Sequence, residues 1–299
     1  MFNLALAQYP IHFYKSESDW KDNIEIWIKK AAEHKSNILV FPEYGSMELA
    51  SLIPNNDVID LKKQLDKIQA LHDKFLNLYI HFAQKYSIYI STPSFPLQIK
   101  NKYYNRTYLI SPDGKYDFQD KLHMTRFEDV WGISASETEL KIFNTRFGKI
   151  GIQTCFDIEF PWPSSLLAAS GVKLIISPSC TETFHGLNRV HTGARARSLE
   201  NQIYVGVSPV VGTATWSQAV DINNGYSALY GPADSDFPKD GIINKGILNH
   251  PTWLFGEIDF SKIDKVRVDG QVFNFKYNSE YPWEKAKTKN LELKYIDLL

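Results

Sequence analysis

Strand-length apolar runs alternate with helix-period segments along nearly the whole chain, and this alternation is what most constrains the fold. FNLALAQY near the N-terminus is a short apolar run suited to a strand, and NILVF (Asn37 to Phe41) is a second that stops at Pro42. Between them Trp20, Ile24, Trp27, Ile28 and Ala31 recur at helical intervals behind the capping candidates Ser16 and Ser18. A longer stretch with Leu61, Leu65, Ile68, Leu71, Phe75, Leu78, Phe82 and Tyr86 on or near one face predicts an amphipathic helix leading into the strand SIYIS. Two hairpins follow: YYNRTYLISPDGKYDFQ turns at Pro112-Asp113-Gly114, and ELKIFNTRFGKIGIQT turns at Phe147-Gly148. Helical and strand patterns then alternate through PSSLLAAS, KLIISPS, LNRVHTGARARSLENQ and IYVGVSPVV, with further strands in GYSALYG and HPTWLFGEIDF. Strands mixed with helices, with hairpins inserted, predict an α/β fold of sheets covered by helices.

No repeat, low-complexity tract or Gly/Ser/Pro-rich linker divides the 299 residues, so a single domain over 1-299 is expected. The polar, aromatic segment 271-299 reads as a C-terminal arm whose Tyr281, Pro282 and Trp283 are candidates to contact a partner subunit. A hydrophobic fraction of 43% suffices for a large core. A net charge of −1 without a Lys/Arg block gives no electrostatic footprint for nucleic acid or an anionic membrane, so a small-molecule partner is expected. Cys155 and Cys180 are too few for a disulfide framework and form no Cys-x-x-Cys zinc pattern. The N-terminus lacks the basic flank and apolar run of a signal peptide, and nowhere do about 18 apolar residues run together. A reduced, cytoplasmic setting without membrane association is therefore the expectation.

Cys155, in KIGIQTCFDIEFPWP, sits where a buried strand with Ile150 and Ile152 on one face breaks into a polar turn. An isolated cysteine is more often a small buried hydrophobe than a nucleophile. A strand end is, however, a common place for a catalytic group held on a rigid support. At a pKa of roughly 8.5 a thiol needs a base, and the chain offers two kinds. His123, His185 and His191 occupy polar contexts, and Glu43, directly after a buried strand and a proline, would become a useful base if burial raised its pKa. Lys121, in DKLHMTRFED, is by default a solvated lysine; fixed near the cysteine, it would lower the thiol pKa and hold an oxyanion.

FPE closing one strand, DKLH closing a hairpin and CFD closing another strand resemble the three signature segments of the nitrilase superfamily of carbon-nitrogen hydrolases. The resemblance covers nearly the whole chain, since YLISPDGKY and ARARSLENQIYVG also match family segments. It implies a four-layer α-β-β-α sandwich with Glu43, Lys121 and Cys155 converging at one end of the sheets, and Glu128 as a second glutamate beyond the lysine. It further implies that Glu43 takes the thiol proton, that Cys155 attacks an amide carbonyl, and that Lys121 and the backbone N–H of Phe156 hold the oxyanion before water hydrolyses the thioester. No metal or organic cofactor is implied, and association into a homodimer or larger homo-oligomer is.

The expected activity is hydrolysis of small linear amides. Nitrile or N-carbamoyl amine hydrolysis uses the same three residues, and acyl transfer to an amine is a chemical neighbour. A catalytically weak binding or assembly module on this fold, and a cysteine–histidine hydrolase on another, are the readings from other classes. Trp162, Cys180 and His185 are candidate substrate contacts, with Arg189 and His191 beside them; Trp162 replaces a glutamate common in the family. Arg195, Arg197, Glu200 and Asn201 read as a structural helix network, and Asp157 as a residue bonding backbone groups of its turn. KLHMTRFEDVWGIS is similar to a less characterised branch, some of whose members carry a fused acetyltransferase domain for which this chain has no room.

Overall fold

The computed structural model describes residues 1–53, 60–136 and 139–280. The first sheet is built from β1 (Phe2–Pro10), β2 (Ile38–Val40), β3 (Tyr89–Ser91), β4 (Phe95–Ile99), β5 (Lys102–Ile110) and β6 (Tyr116–Asp120). β1, β2 and β3 run parallel, while β4, β5 and β6 add antiparallel hairpins at one edge. The second sheet holds β7 (Phe143–Thr145), β8 (Gly148–Ile152), β9 (Leu174–Ser179) and β10 (Tyr204–Thr213), with β8, β9 and β10 parallel. The short β11 (Ile222–Asn223), β12 (Ala228–Tyr230) and β13 (Ile242–Lys245) extend it. β14 (Thr252–Ile258) returns to pair antiparallel with β1. The sheets meet where Tyr9 and Pro10 pair with Val210 and Val211.

Strand periodicity accounts for the layers. On β1, Phe2, Leu4 and Leu6 point into a core shared with Ile150, Ile152, Leu174, Ile176 and Tyr204 of the other sheet, while Ala5, Ala7 and Tyr9 face outward. Their outward neighbours are α1 (Glu17–Glu33) and α3 (His72–Tyr86), which bury Trp20, Ile24, Ile28 and Phe75, Tyr79, Phe82 respectively. Each such side chain contributes about 1.5–3 kcal/mol when removed from water. On the second sheet Ile175, Val205 and Val207 face α5 (Pro161–Ala169) and α6 (Phe184–Asn201). Three cores between four layers make an α-β-β-α sandwich. Gly206 marks how closely the sheets approach: a Cβ there would lie 2.9 Å from Leu6.

The amphipathic stretch expected to be one helix is two. α2 (Leu61–Ile68) ends in a 3-10 turn over Gln69–Leu71 before α3 starts, which resets the buried face to Phe75, Leu76, Tyr79, Phe82 and Ala83. Ser16, not Ser18, caps α1, accepting from Asp19 N at 3.1 Å. Of the proposed C-terminal arm, Tyr281, Pro282 and Trp283 lie outside the described residues. The described part packs on its own chain: α7 (Phe260–Asp269) leads to α8 (Asn274–Glu280), whose Asn278 donates to Asn201 and Ser165 at 2.8 and 3.0 Å.

Candidate active site

Glu43 follows β2 by three residues and is 1% exposed. Tyr44 then takes a left-handed conformation (φ 53°), pinned by its N–H on Ser94 Oγ at 2.8 Å, and sends the chain into a 3-10 turn over Gly45–Leu52. That turn is anchored by Glu48, which accepts from Tyr9 Oη at 3.0 Å and Trp20 Nε1 at 3.2 Å. Burial pushes the Glu48 carboxyl up to about 8, although those donors pull it down.

Lys121 is placed by the β5–β6 hairpin. Arg106 and Asp120 face each other in its register and form a two-pronged ion pair at 2.7 and 2.8 Å, and Lys121 N donates to Asn105 O at 2.9 Å. Asp157 then gathers the chain beyond, accepting from the N–H groups of Leu122 and His123 at 3.1 and 2.8 Å. Thr125 caps the short α4 (Arg126–Trp131) in a capping box with Glu128, whose carboxylate accepts from Thr125 N at 2.9 Å. The reciprocal cap turns Glu128 inward, and it is 2% exposed.

Cys155 opens a 3-10 turn over Cys155–Glu159 with φ 49°, a conformation that a non-glycine residue adopts only when its surroundings hold it there. α6 does the holding. Arg197 forks onto Glu200 at 2.9 Å through two nitrogens and donates to the carbonyls of Ile158 and Glu159 at 3.3 and 3.1 Å. Gly193, one helical turn earlier, lets the backbones touch, since a Cβ there would lie 2.7 Å from Ile158 O. The Cys155 thiol donates to Cys180 O at 3.5 Å.

The side chains converge. Lys121 Nζ donates to Glu43 Oε1 at 2.9 Å and to Glu128 Oε2 at 2.6 Å, and Tyr44 Oη donates to Glu128 Oε1 at 2.8 Å. Asn105 Nδ2 bridges the same carboxylates, at 2.9 Å from Glu43 and 3.2 Å from Glu128. Burial raises the Glu43 carboxyl to about 7, against the pull of Lys121 and of a hydrogen bond with Cys155 and with the help of Glu128. Burial would raise Glu128 also, but the Lys121 ammonium and the donors from Thr125 and Tyr44 outweigh it and hold Glu128 below the usual range. Burial disfavours the Lys121 ammonium, yet Glu128 and Glu43 keep its pKa well above normal. The Cys155 thiol is pushed up by burial and Glu43, with Lys121 opposing. At rest the cluster thus pairs a neutral thiol and a fixed ammonium with one carboxylate poised near neutrality.

These groups open onto a cleft of about 670 Å³, walled further by Phe156, Cys180, Arg189, Trp131 and Ile222. Two sequence candidates fall outside it. α5 starts at Pro161 and carries Trp162 away from the cleft to pack edge-on against His123 at 5.6 Å, 48% exposed. His185 is exposed on the first turn of α6 and does not line the cleft, to which that helix contributes Gly186, Arg189 and Val190. Neither remaining histidine serves the thiol. His123 Nδ1 meets Asp157 Oδ1 at 3.0 Å and its ring stacks on Phe160, and His191 Nδ1 meets Tyr230 Oη at 2.7 Å beneath the ring of Tyr226. Arg189 pairs with Glu159 at 3.3 Å, and Arg195 donates to Asp240 O at 2.9 Å. The sequence reading did not single out Asn105 and Tyr44. Asn105 had one signal, a polar residue inside the strand run YYNRTYLI; Tyr44 had only its place after Glu43.

Comparison with known proteins follows the same lines. The profile of the family described as carbon-nitrogen hydrolase matches residues 3–237. A Bacillus subtilis protein named probable hydrolase YhcX is 32% identical over 274 residues, 91% of this chain and 53% of that protein, so the chain spans about half the length of that relative. The omega-amidase NIT2 of Bos taurus is 24% identical over 303 residues, 96% of this chain and 99% of its own length. A carbon-nitrogen hydrolase from Helicobacter pylori superposes with a TM-score of 0.77 over 97% of this chain and 98% of its own, at 16% identity, which speaks for the fold. By its matching profile the chain belongs to the carbon-nitrogen hydrolase family, hydrolases of carbon–nitrogen bonds other than peptide bonds.

Proposed function

We propose that the chain is an amidase that cleaves small linear amides through a thioester on Cys155. The observation that supports this most is the ionic cluster beside the thiol, in which Glu43 titrates near 7 while Lys121 and Glu128 stay charged. Glu43 accepts the thiol proton as Cys155 Sγ bonds to the carbonyl carbon, and the oxyanion forms toward the Lys121 ammonium and the Phe156 N–H. The oxyanion collapses, the C–N bond breaks, and the amine leaves with the proton from Glu43. Water then gives a proton to Glu43 as its oxygen attacks the thioester, and the acid departs as the thiol regains that proton. Glu128 keeps Lys121 charged and fixed. Removing one oxyanion donor of this type costs on the order of 10²–10³ in turnover.

The test is ammonia release from matched amides, N-carbamoyl amines and nitriles, with Cys155→Ala as the blank, followed by mass spectrometry for an acyl group on Cys155. Turnover of amides that disappears in Cys155→Ala is the expected result. Turnover confined to nitriles, or undiminished in Cys155→Ala, would overturn the reading.

A further inference from the structure

We propose that Asn105 is a positioning residue that decides which oxygen of Glu43 exchanges the proton with Cys155. The proposal rests on Glu43 being the base. Asn105 lies within β5 with no exposed surface, and its Nδ2 donates to Glu43 Oε1 at 2.9 Å and to Glu128 Oε1 at 3.2 Å. Lys121 Nζ donates to the same Glu43 Oε1, also at 2.9 Å. Glu43 Oε1 therefore carries one charged and one neutral donor, and protonating it would displace one of them. Among the described residues no N–H group donates to Oε2. Oε2 is the oxygen left to meet the thiol.

The orientation of the Asn105 amide is not a matter of choice. Turned by 180°, its Oδ1 would face two carboxylate oxygens at 2.9 and 3.2 Å, acceptor against acceptor. In the orientation it takes, both Nδ2 hydrogens reach carboxylates while Oδ1 is buried with no hydrogen-bond partner among the described residues. An amide that spends its donors on two carboxylates of the cluster is placed for the cluster. Rotation of the Glu43 carboxylate would break both Oε1 bonds together, so Oε2 stays turned toward Sγ when Glu43 acts as base and when it later acts as acid.

Asn105→Leu keeps most of the side-chain volume and removes both donors. Measured against an amide turned over by the wild type, it is expected to lower kcat on the order of 10–100-fold with KM within about threefold, because orientation rather than substrate binding is lost. The acid limb of kcat/KM moves up by about half a pH unit or more, since the ionised carboxylate has lost a donor. An Asn105→Leu enzyme with a lower Tm but an unmoved acid limb and unchanged kcat would overturn the proposal and leave Asn105 a packing residue. Should Asn105→Leu fail to fold, the smaller Asn105→Ser is read in the same way, with the same shift expected and an unmoved limb fatal. Glu43→Gln run alongside separates the two levels: full activity there sinks the base assignment, whereas loss there with a wild-type limb in the Asn105 variants sinks only this proposal.

Discussion

Glu43 and Glu128 touch the same ammonium and are nearly equally buried, yet they titrate in opposite directions. Charge and hydrogen bonds together make the difference: at Glu128 the Lys121 ammonium and the donors from Thr125 and Tyr44 outweigh burial, while at Glu43 the neighbouring Glu128 carboxylate adds to it. With the Glu43 carboxyl near 7 and the Lys121 and Cys155 groups both held high, kcat/KM is expected to rise with pH through about 7 and show no basic limb below about pH 9. Glu43→Gln should lose about 10²–10⁴ in turnover and flatten that rise, which an ammonia-release assay across pH reads directly. Stability runs the other way. A carboxyl whose folded pKa is raised binds its proton more tightly in the native state, so its contribution is complete below the unfolded value and is lost as pH climbs through the folded one. Glu43 loses it by about 7 and Glu48 by about 8, so the enzyme activates over the range in which these two groups weaken its fold. Glu43, Lys121 and Cys155 were legible as strand-end residues in three short motifs. Asn105 was not, because its meaning lies in two carboxylates reached across space, one 62 and the other 23 residues away.

At the scale of elements, the nucleophile turn is as much a product of α6 as of β8. The two strand–turn–strand hairpins and the alternating strands could be read from period-two patterns and from turn residues such as Gly114 at φ 82°. What could not be read was how one element bears on another. The 3-10 break between α2 and α3 has no breaker residue to announce it, and Trp162, seven residues past Cys155, and His185 were expected as substrate contacts although neither lines the cleft. Gly193→Ala tests the contact between α6 and the Cys155 turn. The added methyl must push against Ile158 O, a rigid backbone atom, so a loss of about 1–3 kcal/mol in stability is expected by chemical denaturation. Turnover should fall further than that suggests, because the turn that moves carries the thiol.

For the molecule as a whole, the four layers leave the outer faces of α5 and α6 carrying Leu166, Phe184 and Leu199, all exposed. We propose that two or more copies associate, and light scattering that shows a monomer at every concentration would refute it. The site itself is divided between the halves of the sandwich. Glu43 and Lys121 hang from the first sheet and Cys155 and Cys180 from the second, and the two sheets are joined where Tyr9 and Pro10 pair with Val210 and Val211. Turnover is therefore a gauge of the seam. A slip of about an ångström between the halves disarms the sulfur at the cost of only the β1–β10 pairing at the seam, while the hydrogen bonds within each sheet are kept. Wild-type protein that loses turnover under mild stress while its far-ultraviolet spectrum stays intact is then expected to have shifted at that join.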